Sequence, residues 1–167
     1  RQPLLGRRVV GRLAMRGDRS SQYFSALMLV SAYCDDAVEL RIEGTLVSRP
    51  YVDITRRMVA DFGGAIESTS NGLAWSGRQQ YAARHYTIEP DASAASYAFA
   101  FAVATGSRIT VPGLGPGALQ GDYAFLDLLE RAGARVDRAT DRTIVEGVAP
   151  PAGIDAEVHH DIDHRAR

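Results

Sequence analysis

Two hydroxyls and an amide, Ser20-Ser21-Gln22, stand where the polar run Gly17-Asp18-Arg19 gives way to the apolar stretch from Tyr23 to Leu27. A serine or aspartate ahead of an apolar run first reads as a helix N-cap, because its oxygen accepts from backbone N–H groups that have no partner inside the helix. The same N–H groups and the helix dipole also suit an anion. One residue suffices for a cap. Here an aspartate is followed by two serines and a glutamine, so phosphate binding stands beside capping as a second reading. Comparable polar starts recur at Ser48-Arg49-Pro50-Tyr51, Pro90-Asp91-Ala92-Ser93 and Gln120-Gly121-Asp122. A fold that gathered several of them around one cleft would hold a phosphorylated ligand through neutral donors. The alternative is four capped helices in an ordinary α+β domain.

The elements that must position these groups follow from periodicity. Val9–Leu13 predicts a strand, Ser21–Tyr33 a helix with apolar residues three and four apart, and Ala37–Ile42 an alternating strand. Pro50 suits a first helical turn and Gly63-Gly64 a helix end, which predicts a helix over Tyr51–Phe62. Ala65–Ser68 and Leu73–Trp75 form a hairpin with Asn71-Gly72 as its turn. The order then recurs: strand His85–Ile88, helix Ala92–Ala104, strand Ser107–Val111, helix Leu119–Arg131, and a hairpin of Ala134–Asp137 with Thr143–Val145. Gly64-Ala65 and Gly133-Ala134, Asp53 and Asp122, and Gly44 and Gly113 each lie 69 positions apart. Such an internal repeat predicts two β-α-β-α-β-β units. Residues 1–77 make the first, 78–84 a hinge, 85–148 the second and 149–167 a polar tail.

Composition narrows the partners. Nineteen basic and twenty acidic residues leave a formal charge of -1, so there is no global attraction to nucleic acid or an anionic membrane. The longest apolar stretch, 92–104, is too short and too polar to span a bilayer, and the expected location is the cytoplasm. One cysteine, Cys34, precludes an intramolecular disulfide and a cysteine-based zinc cluster, and is expected to fill space near a helix end. The chain begins with Arg1 rather than Met, and a piece of something longer is expected.

Taken in order, Ser20-Ser21-Gln22-Tyr23, Val47-Ser48-Arg49-Pro50-Tyr51-Val52-Asp53-Ile54-Thr55, Asp91-Ala92-Ser93-Ala94-Ala95-Ser96-Tyr97 and Gln120-Gly121-Asp122 closely resemble the EPSP synthase family. The resemblance runs from about Arg1 to Val145. It implies an α+β chain built from β-α-β-α-β-β units of the EPSP synthase-like fold, an inside-out α/β barrel: the last unit of one lobe, the hinge, and the first unit of the other. It also implies enolpyruvyl transfer from phosphoenolpyruvate to the 5-hydroxyl of shikimate 3-phosphate, with no cofactor. On this basis Ser20, Ser21 and Ser48 resemble the residues that hold the shikimate phosphate. Gln22 resembles the amide that touches both substrates, Tyr51 a residue lining the shikimate side, and Asp91 an acid near the bound substrates. Arg49 stands where the family usually has lysine, which keeps the charge and changes the donor geometry. Tyr97, Asp122 and Gln120 are read as core, cap and turn residues. The related enzyme acting on a UDP-sugar resembles the chain less well, because it lacks the Ser-Ser-Gln and carries its cysteine in a loop.

The tail departs from the pattern. Asp163 falls where the family has its central catalytic aspartate, yet Ile162 replaces the preceding proline and His164-Arg165-Ala166-Arg167 replaces small helical residues. His159, His160 and His164 lie among acids, but the resemblance implies no metal. Two functions stay open: part of the transferase, holding one wall of the site and inactive alone, or a free-standing phosphate-ligand-binding or scaffold module derived from that family.

Overall fold

The computed structural model describes residues 11–148 and 153–154. The fold is α+β, and the chain divides into two compact units, Arg1–His85 and Tyr86–Arg167. In unit 1, β1 (Gly11–Arg16) alternates, turning Leu13 and Met15 to the core and Arg12, Ala14 and Arg16 to solvent. β2 (Val38–Glu43) pairs with it in parallel, Gly11 opposite Val38 and Arg16 opposite Glu43. Parallel pairing requires a crossover, supplied here by α1 (Ser21–Leu29) and the 3-10 turn Ser31–Tyr33. A second helix, α2 (Arg49–Asp61), leads to the antiparallel hairpin of β3 (Glu67–Thr69) and β4 (Gly72–Trp75), giving the sheet order β1-β2-β4-β3. Phe24, Met28, Val38, Leu40, Val52, Val59, Leu73 and Trp75 close the core between the two helices and the sheet.

The hairpin turn sits one residue earlier than the Asn71-Gly72 reading. Thr69 pairs with Gly72, so Ser70 and Asn71 form the loop. Gly72 is needed for a different reason: a Cβ there would collide with the Leu40 carbonyl of β2. Close approach of two backbones, rather than turn conformation, excludes a side chain.

Unit 2 contains α3 (Ala92–Thr105), β5 (Arg108–Pro112), a 3-10 turn Gly121–Ala124, α4 (Phe125–Arg131), β6 (Arg135–Ala139) and β7 (Arg142–Glu146). Its sheet is antiparallel throughout, in the order β5-β7-β6. The strand expected over His85–Ile88 is absent. Alternation alone does not hold a strand without an inward face to bury, and neither Tyr86 nor Ile88 enters the core of this unit. The helix expected from Leu119 begins as the 3-10 turn and is α-helical only from Phe125. Tyr97, read as core, is 80% exposed.

The two units share an α-β-α-β-β order, and their matching positions stand in a shifted register. Gly44 and Gly113 take matching left-handed conformations, φ +76° and +77°. At the helix ends, however, Gly63 is the counterpart of Gly133, at φ +92° and +95°. Gly64 and Ala134 likewise both donate to a carbonyl five residues back, Val59 and Leu129. Asp53 and Asp122 are not equivalents: Asp53 lies within α2 beside Arg49 and Arg56, whereas Asp122 accepts from Ser93 Oγ.

Candidate functional site

Because β1 and β2 run in parallel, the helices that follow them both start at the same edge of the sheet. Gly17 locks the two connecting loops together: its N–H donates to the Glu43 carbonyl at 2.8 Å and its carbonyl accepts from Val47 N–H at 3.1 Å. A Cβ on Gly17 would stand 2.7 Å from the Thr45 carbonyl oxygen, so only glycine permits this approach. One turn further on, Ser25 Oγ and Thr55 Oγ1 meet at 2.8 Å and tie α1 to α2. Gly17, Thr45, Ser25 and Thr55 had no functional reading in the sequence, although a glycine directly between a strand and a capping serine is the signal that marks such a lock.

The two helix starts use their hydroxyls differently. Ser20 is extended, at φ -154° and ψ 135°, and its Oγ accepts from Gln22 N–H at 3.3 Å, as an N-cap does. Ser21 is buried in the first turn and Gln22 is exposed. Ser48 stands at the corresponding place before α2 in the left-handed region, φ 54° and ψ 42°, and its exposed side chain makes no capping bond. Left-handed backbone costs a serine on the order of 1 kcal/mol or more, a cost that capping does not require. Tyr51, in the first turn of α2, is half exposed. Two nearby cations are tethered: Arg16 pairs with Asp18, and Arg49 Nε lies 3.5 Å from Asp53 Oδ2. The hydrogen bond and charge of Arg16 hold the Asp18 carboxyl below its usual range.

The start of α3 in unit 2 is closed by its own side chains. Asp91 Oδ1 accepts from Ser93 N–H at 2.8 Å and Ala94 N–H at 3.1 Å. Gln120 Oε1 accepts from Ala92 N–H at 2.8 Å, and its Nε2 donates to Glu89 Oε1 and the Pro90 carbonyl, both at 2.6 Å. Gln120, read as a turn residue, is therefore a cross-link that caps α3 from a distance. Asp122, read as a cap, accepts from the Ser93 hydroxyl. Cys34 is buried just after the 3-10 turn that ends at Tyr33. Asp163 and the histidines at 159, 160 and 164 lie outside the described residues. Among the described residues no cluster of metal-ligating side chains occurs, and no helix is long and apolar enough to cross a membrane.

Residues 3–165 match the family described as EPSP synthase (3-phosphoshikimate 1-carboxyvinyltransferase). The chain belongs to the EPSP synthase family. Among similar sequences, the 3-phosphoshikimate 1-carboxyvinyltransferase of Nostoc sp. is 41% identical over 150 residues, which are 89% of this chain and 35% of that protein. That of Methanoregula boonei is 39% identical, over 89% of this chain and 36% of its own length. The chain thus spans about a third of the length of these EPSP synthases. EPSP synthase from Acinetobacter baumannii shares the fold at a TM-score of 0.61 and 15% identity, over 83% of this chain and 32% of that one. The enolpyruvyl transferase NikO from Streptomyces tendae does so at 0.64 and 18%, over 86% and 36%.

Proposed function

We propose that unit 1 supplies the phosphate-holding wall for shikimate 3-phosphate in a soluble, cytoplasmic 3-phosphoshikimate 1-carboxyvinyltransferase. Ser20, Ser21 and Ser48 act as neutral donors to the phosphate, Gln22 reaches both substrates and Tyr51 lines the shikimate side. The observation that carries this reading is Ser48, whose hydroxyl is held in a costly backbone conformation, caps nothing, and stands at a helix start that Gly17 locks beside that of Ser20. Two adjacent helix N-termini with hydroxyls offer a dianion several N–H and O–H donors without a buried counter-charge. Asp91 stands near the bound substrates in this reading, and Asp163 at the place of the central aspartate.

The reaction is an addition and an elimination. The 5-hydroxyl of shikimate 3-phosphate adds to phosphoenolpyruvate as the methylene carbon takes up a proton. The tetrahedral adduct then loses one proton of the new methyl group together with inorganic phosphate, leaving the enolpyruvyl ether. The part derived for this chain is orientation: holding the 3-phosphate fixes the attacking hydroxyl. Calorimetric titration of shikimate 3-phosphate tests the reading. Ser48→Ala and Ser21→Ala should each weaken binding by roughly 0.5–1.5 kcal/mol per hydrogen bond lost, somewhat more where the acceptor is charged. Unchanged affinity in both variants would remove the serines from the site. The 167 residues alone, incubated with both substrates, should release no inorganic phosphate, since they span about a third of the relatives' length. Turnover that scales with this chain would contradict that expectation.

A further inference from the structure

The chain that leaves β4 is fastened to unit 1 along most of its way to α3. Arg78 N–H donates to the Cys34 carbonyl at 2.7 Å, and a Cβ on the preceding Gly77 would collide with the Asp35 carbonyl. Arg78 itself is left-handed, at φ 56°, a backbone that persists only where its surroundings over-determine it. The Gln79 amide pairs with both backbone groups of Ala65, accepting from its N–H at 2.5 Å and donating to its carbonyl at 3.0 Å, as a neighbouring strand would.

A helix leaves its last carbonyls without donors of its own. At the end of α1, the Tyr81 hydroxyl donates to the Leu29 carbonyl at 3.0 Å, with that of Met28 3.3 Å away. At the end of α2, Ala82 N–H donates to the Phe62 carbonyl at 2.8 Å and the Arg84 guanidinium to that of Asp61. The Tyr81 ring also lies against Gly64, where an added Cβ would come within 3.0 Å of it. One stretch thus closes both helices at the ends opposite Ser20 and Ser48. In unit 2, Glu89 accepts from Leu119 N–H at 3.2 Å and from Gln120 Nε2 at 2.6 Å. Between Arg84 and Glu89 stand residues 85–88, all exposed and outside both sheets. Exposed backbone outside a helix or sheet opens at the least cost. We propose that residues 76–84 are a fixed strap of unit 1, and that the joint between the two units is residues 85–88 rather than the 78–84 expected from the sequence.

Amide hydrogen exchange of the 167-residue chain, followed by NMR, tests it. Ala65, Arg78 and Ala82 N–H should exchange at least about 100-fold more slowly than the amides of residues 85–88, which should approach unfolded rates. Gln79→Ala, and the milder Tyr81→Phe that keeps the ring, should speed exchange at Arg78 and Ala82 by roughly tenfold and leave the amides of α3 unchanged. Exchange at Arg78 and Ala82 as fast as at residues 85–88 overturns the strap. Slow exchange throughout residues 85–88 overturns the joint. Arg78 and Ala82 as protected in both variants as in the unaltered chain would show that Gln79 and Tyr81 fasten nothing, and this too overturns the strap.

Discussion

Ser20 and Ser48 each precede a helix that follows one of two parallel strands, and only Ser20 uses its hydroxyl as a cap. Ser20 spends its oxygen on Gln22 N–H, so Ser20→Ala should cost about 1 kcal/mol of stability. Ser48 makes no capping bond and sits at φ 54°, where glycine is at ease. Ser48→Gly should therefore stabilise the chain by roughly 0.5–1 kcal/mol while weakening phosphate binding, two effects of opposite sign that urea denaturation and ligand titration read separately. Asp18 offers a pH test. Its carboxyl is held down by the Arg16 hydrogen bond, so its folded pKa lies below the ordinary value of about 3.9. A depressed acid contributes stability that is present above about pH 4 and is lost as pH falls through the folded value. Carbon-detected titration of Asp18 should show the low midpoint, and Arg16→Gln should return it to the ordinary range. Ser20 as a cap was legible, because a serine before an apolar run has a mechanism. The conformation of Ser48 was not, because nothing in the composition of Ser-Arg-Pro-Tyr demands left-handed backbone.

At the scale of elements, Gly17 governs the proposed site although it carries no chemistry. Gly17→Ala would press a methyl into the Thr45 carbonyl, so the loops before α1 and α2 must part. The expected loss is about 1–3 kcal/mol, together with phosphate affinity, whereas Gly117→Ala, with nothing within 4 Å of its added Cβ, should have little effect. A double-mutant cycle on Ser25 and Thr55 should return a coupling of about 1 kcal/mol, the value of one half-buried hydrogen bond between helices. The order of helices and strands in unit 1 was legible from periodicity and from the glycines that end α2. Two features were not. His85–Ile88 alternates as a strand does, but pairing depends on whether a neighbour's edge and a core face await it. Gly72 was misread as a turn glycine, because the crowding that requires it comes from β2, some thirty residues earlier in the chain.

In the whole molecule, two units that share an α-β-α-β-β order have separate cores and present their helix starts in different states. Unit 2 caps α3 with Asp91 and Gln120 and surrounds that start with the carboxylates of Glu89 and Asp122, which disfavours an anion there. Unit 1 leaves Ser48 uncommitted beside a second helix start. The proposed phosphate site therefore lies in unit 1. Its most direct test is to add shikimate 3-phosphate to isotope-labelled chain and follow backbone amide signals. Saturable shifts should concentrate at residues 19–23 and 48–52 and disappear from both segments together in Ser48→Ala. Saturable shifts confined to residues 89–94 or to the tail, with those two segments silent, would show that the serines of unit 1 serve the helices and not a ligand.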